Sequence, residues 1–136
     1  MKLSRSVAYA LHATLLLAEF PSRGPVPCSR LAQAGKLPER FLLQILRPLV
    51  THGILTSTRG VEGGYSLRRS VSEISLLDLI EAVEGPLKPN SVTGHGLSHA
   101  AQQRLQGAMH ELNAVCRKQL KGIKLSSLLD SHAAAH

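Results

Sequence analysis

The sequence predicts a mainly α-helical fold with one small β-hairpin and a long C-terminal helix. Three observations carry this prediction. Aliphatic residues recur at three- and four-residue steps through most of the chain. Residues 54–68 break that rhythm, with β-branched residues leading into a glycine-rich turn. Aromatic residues are scarce, two Phe, two Tyr and no Trp among 136 residues, so the core must be built from Leu, Ile, Val and Ala. That length supports one modest core.

The elements follow in order. Ser4 is placed to cap a first helix running to about Phe20, with Val7, Ala8, Leu11, Leu15 and Ala18 as its apolar stripe. Pro21 ends it, and the run 21–27 (PSRGPVP) reads as a tight loop. A short helix from about Cys28 to Ala34 is closed by Gly35, expected in the left-handed conformation. Pro38 suits the first position of the next helix, because its missing N–H has no partner there. That helix turns Phe41, Leu42, Ile45, Leu46, Leu49 and Val50 inward and stops at Gly53. Pro48 should bend or interrupt it, since it cannot donate to the Gln44 carbonyl. Ile54–Thr58 and Tyr65–Arg68 read as strands joined by Arg59-Gly60-Val61-Glu62-Gly63-Gly64. Ser75 to Asp78 looks like a capping box opening a helix with Leu76, Leu79, Ile80 and Val83 inward, ended by Gly85-Pro86. Residues 87–97 read as a loop. From about Ser98 a long helix carries Ala101, Leu105, Ala108, Leu112, Val115 (or Cys116) and Gln119 (or Leu120) as a narrow seam suited to a partner helix.

Two short helices joined by a brief turn and followed by a hairpin form the order of a winged helix-turn-helix. The expected organisation is a winged helix-turn-helix unit over 1–86, a loop over 87–97, and a dimerisation helix with a closing turn over 98–136. Charge agrees with that division. The chain carries +7 overall. Most of the surplus lies in residues 21–70, where Arg23, Arg30, Lys36, Arg40, Arg47, Arg59, Arg68 and Arg69 face only Glu39 and Glu62. Residues 71–136 are balanced. A basic block beside a neutral one is the footprint of a phosphate-binding surface, although a solubilising excess gives the same count. Glycines around Arg59 let backbone approach a phosphate or a narrow groove, where arginine is favoured; the plainer reading is an ordinary hairpin with an exposed arginine.

No nucleophile–base pair, carboxylate cluster, phosphate loop or nucleotide fingerprint is present, so an enzyme is not expected. No apolar run approaches the ~18 residues of a membrane span, and a cytoplasmic location is the expectation. Two cysteines, Cys28 and Cys116, are too few for a disulfide scaffold or a CxxC-type zinc site. Core packing is preferred for Cys28 and burial at the seam for Cys116, over redox roles.

The chain resembles the Rrf-type family of regulators, which includes IscR, NsrR and CymR. The carrying segments are residues 1–18 (MKLSRSVAYALHATLLLA), 24–46 (GPVPCSRLAQAGKLPERFLLQIL), 54–69 (ILTSTRGVEGGYSLRR) and 74–87 (ISLLDLIEAVEGPL). The resemblance implies a dimeric winged helix whose long C-terminal helix crosses to the other subunit. It places the recognition helix in the major groove of double-stranded DNA and the wing arginine in the flanking minor groove. Arg59 matches the wing arginine and Gln44 a glutamine of the recognition helix. Position 43, often glutamate in the family, is Leu43, which cannot accept from a cytosine amino group, so a different operator is expected. Arg40, Gln44 and Arg59 are expected nearest the bases. Lys2, Arg5, Ser29, Arg30, Arg47 and Tyr65 are expected to position phosphates, with Phe41, Gly60, Gly63 and Gly64 completing the surface. The dimer seam is assigned to Leu105, Ala108, Leu112, Val115, Cys116 and Gln119.

Cluster-binding members of the family place three cysteines in the loop after the E-G-P segment. Residues 87–99 contain none, so no iron–sulfur cluster and no other cofactor is expected. His12, His95 and His99 are weighed as metal ligands, with solvated histidines preferred. The alternative functional reading is a winged helix repurposed to bind a protein partner, or a metal-responsive regulator.

Overall fold

A computed structural model describes residues 2–20, 24–91 and 96–129. The element order is α1 (Arg5–Glu19), α2 (Cys28–Gly35), α3 (Glu39–Thr51), β1 (Leu55–Thr58), β2 (Gly64–Leu67), α4 (Leu76–Glu84), α5 (His99–Gly122) and a 3-10 turn, Leu125–Leu128. Pro21, Arg23 and His95 lie outside the described residues.

The Ser4 hydroxyl accepts from the Val7 N–H at 3.1 Å and opens α1. The buried face of α1 is Val7, Ala10, Ala13, Thr14 and Leu17, whereas Ala8 is exposed and Leu11 and Leu15 only half-buried. The stripe therefore sits about one residue round from the expected one. Helices α2, α3 and α4 all press on α1, and two alanines at the centre of its face let them approach closely. Thr14 is accommodated in this apolar setting because its hydroxyl donates to the Ala10 carbonyl at 2.7 Å.

Gly35 is not the left-handed cap of α2; Lys36 is, at φ 54°. The glycine serves packing instead, since a Cβ there would lie 2.7 Å from Leu16 Cδ1 and 3.2 Å from Leu37 Cγ. The left-handed turn falls one residue later, and the Leu37 N–H closes it on Ala32 O at 2.8 Å. Pro38 is the N-cap of α3 rather than its first residue, with extended backbone. Pro48 does not interrupt α3, which stays helical to Thr51. Gly53, at φ 75°, turns the chain into β1.

The strands pair antiparallel from Leu55↔Leu67 to Thr58↔Gly64, and the Arg68 N–H extends the ladder to Ile54 O at 3.0 Å. Val26, within the run expected as a tight loop, joins this sheet. Val26 and Tyr65 exchange both backbone bonds, at 2.9 and 2.8 Å, so the hairpin has a third, one-residue edge. Ser75 and Asp78 form the expected capping box, at 3.1 and 2.9 Å.

One core runs between α1, α2, α3 and the hairpin, with Leu31, Leu42, Leu46, Leu49, Leu55, Ile74 and Leu79 almost wholly buried. Val7, Leu76, Leu77, Ile80 and Leu120 form a second cluster that docks the end of α5. The closing turn is more than a tail. Ile123 and Leu125 bond to Leu76 and Ile74, and the Leu125 side chain is buried in the main core. The chain thus returns from α5 to seal the unit it left at Gly85.

Candidate nucleic-acid interface

Helix α3 divides sharply in two. Leu42, Ile45, Leu46 and Leu49 are at most 4% exposed, while Glu39, Arg40, Leu43, Gln44, Arg47 and Thr51 face solvent. Burial of one face fixes the helix on the core, and the opposite face projects as a ridge. The ridge stands beside the hairpin. A groove of about 220 Å³ between them is lined by Leu43, Arg47, Val50 and Thr51 from α3 and by Ser57 and Tyr65 from the strands.

Tyr65 links this groove to the rest of the interface. Its backbone is held by Val26, and its phenol pKa is raised by burial and by proximity to Cys28, with Arg47 acting in the opposite sense. The phenol therefore stays protonated at neutral pH and keeps an O–H for donation. Ser29 and Arg30 are exposed at the start of α2, and the Arg30 guanidinium lies 5.1 Å over the Phe20 ring, which orients it. Lys2 and Arg5 are exposed at the start of α1, and Arg59 and Gly60 are exposed at the hairpin tip.

Three residues expected at the surface prove to be internal supports. Phe41 is half-buried, and its ring meets Tyr9 edge-on with centroids 5.4 Å apart, tying α3 to α1. Gly63 is buried; a Cβ there would collide with Thr58 O and lie 3.0 Å from Gly60 O, which accepts the Gly63 N–H. At Gly64, with φ 152°, a Cβ would run into the Val26 carbonyl and lie 2.6 Å from Pro27 N. Both glycines let the protein's own backbone close the wing. Gly60 is the open one, at φ 119° with nothing near it. Leu43, absent from the expected contact set, sits in the middle of the ridge; the departure from glutamate noted in the sequence was its signal.

On α5 the expected seam splits. Leu105, Leu112 and Val115 are 42%, 59% and 58% exposed, and Ala108 and Gln119 face solvent with them. Cys116 turns toward the rest of the chain, beside Leu87, Pro89 and Met109 in a groove of about 310 Å³ whose rim includes Leu112, and Leu120 is buried on α4. The helix took this orientation because a polar clamp holds it. Arg117 donates to Glu81 Oε2 at 2.7 Å and to Leu87 O at 3.3 Å, Leu87 N–H donates to Glu81 at 2.8 Å, and Asn113 donates to Leu87 O at 3.3 Å. The Arg117 hydrogen bond holds the Glu81 carboxyl below its usual range.

The cysteines lie on separate elements. The Cys28 thiol points to Glu39 O at 3.9 Å, and burial, then Glu39, pushes its pKa up. His12 is exposed on α1 and His99 begins α5. Among the described residues no three His, Cys, Asp or Glu side chains gather as metal ligands, and no helix is long and apolar enough to cross a membrane.

This architecture has known counterparts. The Rrf2 family model, described as "Iron-dependent Transcriptional regulator", matches residues 3–131. An HTH-type regulator of Mycobacterium tuberculosis is 40% identical over 87 residues, 64% of this chain, which spans only about half (54%) of that relative's length. CymR of Bacillus subtilis is 36% identical over 92 residues, 68% of this chain and 67% of its own. The solved structure of CymR, the global cysteine regulator of B. subtilis, superposes with a TM-score of 0.73 at 28% identity, covering 94% of this chain and 95% of the other. The structure of T. potens IscR gives 0.70 at 26% identity, covering 94% and 85%. With its helix-turn-helix, hairpin and long C-terminal helix, this chain belongs to the Rrf2 family of transcriptional regulators and has the winged-helix fold of its solved relatives.

Proposed function

We propose that the protein acts as a homodimeric repressor that seats α3 in the major groove and Arg59 in the adjacent minor groove, without an iron–sulfur cluster. The observation that carries the docking is the exposed ridge of Arg40, Gln44 and Arg47 standing beside the hairpin, with a shared groove between them. Arg40 and Gln44 offer donors that pair with guanine and adenine edges. Arg47, deeper in the groove beside Tyr65, is placed for a phosphate, as are Lys2, Arg5, Ser29 and Arg30 on the flanking helix starts.

The dimer reading rests on Leu105, Ala108, Leu112, Val115 and Gln119, which repeat at heptad spacing on a face that the subunit leaves uncovered. A second copy of the same helix is the complement that a two-fold interface supplies. A dimer on a palindromic operator places its two recognition helices about one helical turn apart, and repression is the proposed outcome where that site overlaps a promoter. The family is described as one of transcriptional regulators, which supports a non-enzymatic role.

Iron enters because of the family description, and the donor set does not fit a cluster. The sequence has no cysteine between Cys28 and Cys116; one thiol is tucked against Glu39 O and the other against the 87–90 segment. Clusters of this kind need several thiolates at one place. Anaerobic incubation with iron and sulfide should leave the protein colourless, and a stable brown species with stoichiometric iron would defeat this part of the proposal.

Salt titrations of two variants on operator and scrambled duplexes test the docking. Arg47→Ala should weaken both duplexes alike and reduce the salt slope by about one unit. Arg59→Ala should cost on the order of 1–3 kcal/mol on the operator and less on scrambled DNA. Equal losses for Arg59→Ala on both duplexes would reduce the wing to an electrostatic clamp.

A further inference from the structure

Leu43 is the one apolar side chain among the exposed positions of α3; Glu39, Arg40, Gln44, Arg47 and Thr51 are its exposed companions. It is 44% exposed. A lone exposed leucine is ordinary on a protein surface, so position decides the matter here. Arg40 precedes it by three residues and Arg47 follows it by four, which puts all three on one line along the helix, with Gln44 alongside. The side chain also forms part of the α3 wall, with Arg47, Val50 and Thr51, of the groove shared with Ser57 and Tyr65, so it stands on the side of the ridge nearest the wing.

In the major groove each base pair presents donors and acceptors, and the one apolar group on offer is the C5 methyl of thymine. A leucine flanked by polar readers has no hydrogen bond to give. It raises affinity only by removing that methyl from water, and it leaves the cytosine amino group without an acceptor. We propose that Leu43 is a specificity-determining residue that reads the C5 methyl of a thymine, selecting T·A over C·G at one base pair of each half-site. The inference rests on the docking of α3 proposed above and assigns a base preference to a residue outside the polar contact set.

Duplexes selected from a random pool by the wild-type protein supply the operator. Each thymine in the half-site is then replaced singly by deoxyuridine, which keeps every hydrogen-bonding group and removes only the methyl. At one position the replacement should weaken wild-type binding about fourfold, the worth of one buried methyl group. Leu43→Ala, at an exposed site, should bind the thymine and uracil duplexes equally. Leu43→Glu should shift its selected base at that position from T·A to C·G, because a carboxylate accepts from the cytosine amino group. Equal loss from the uracil duplex in wild type and Leu43→Ala would assign the methyl to another reader and overturn the proposal. So would insensitivity of the wild type at every thymine, with specific binding intact. Failure of the wild type to select any duplex would overturn the docking of α3 itself, and the inference with it.

Discussion

Substituting alanine at Gly64 tests how the wing is held. A Cβ at this position is driven into the Val26 carbonyl, and φ is 152°, outside the range comfortable for an L side chain. The obstacle is backbone on both sides, so no side chain can rotate away. The least disruptive relief separates Val26 from Tyr65 and breaks their two backbone bonds of 2.9 and 2.8 Å. Each such bond contributes about 0.5–1.5 kcal/mol net, and strained backbone adds roughly 1–3 kcal/mol. The expected loss is about 2–6 kcal/mol, a large share of the ~5–15 kcal/mol that stabilises a domain. Gly60→Ala is the matched control. Its φ is also positive, at 119°, yet its Cβ meets nothing within 4 Å. Urea unfolding followed by far-ultraviolet circular dichroism should show Gly64→Ala less stable than Gly60→Ala by roughly 1–3 kcal/mol, the contribution of the lost pair. Gly64→Ala should also weaken operator binding, because Tyr65, on the loosened strand, forms the groove wall opposite Arg47. Equal stability losses for the two variants would refute the claim that close approach, rather than φ alone, requires glycine at residue 64.

Two further predictions concern α5. Replacing Leu105 and Leu112 with aspartate places charges on the exposed seam without touching Leu120 or the core; sedimentation should give a folded monomer with poor operator affinity, and an unchanged dimer would put the interface elsewhere. The Glu81 clamp predicts a pH dependence. Because Arg117 lowers the folded-state pKa of Glu81, the stabilisation is fully present above the ordinary glutamate value and is lost as pH falls through the depressed one. Arg117 is 40% exposed and Glu81 27%, so screening keeps the contribution within about 1 kcal/mol. Glu81→Gln should therefore be slightly less stable at neutral pH and show a shallower acid limb in stability against pH; an acid limb identical to wild type would mean the pair contributes nothing.

Much of the fold was legible in the sequence because its signals are local. Ser4, Ser75 and Asp78 announce helix starts through bonds that span three residues, and the alternation of Leu42, Ile45, Leu46 and Leu49 announces a buried helix face. The glycine-rich turn after Thr58 announces a hairpin. The basic ridge of α3 was legible as well, since Arg40, Gln44 and Arg47 fall opposite the apolar stripe by helical periodicity alone.

What the sequence could not determine were contacts between segments far apart in the chain. The face of α1 depends on three helices pressing on it, so its centre moved to Ala10, Ala13 and Thr14, small residues that carry little hydrophobic signal. Gly35, Gly63 and Gly64 all looked like conformational or DNA-facing glycines. Tertiary structure made Gly35 a contact with Leu16, Gly63 a closure of the wing tip, and Gly64 a seat for Val26, because only the folded chain brings those atoms within reach. Periodicity placed a seam on α5 but left Val115 and Cys116 as alternatives; the clamp from Glu81 and Leu87 to Arg117 and Asn113 decided that Val115 faces outward. Local spacing sets what an element is, and the neighbours it meets decide which of its sides is inside.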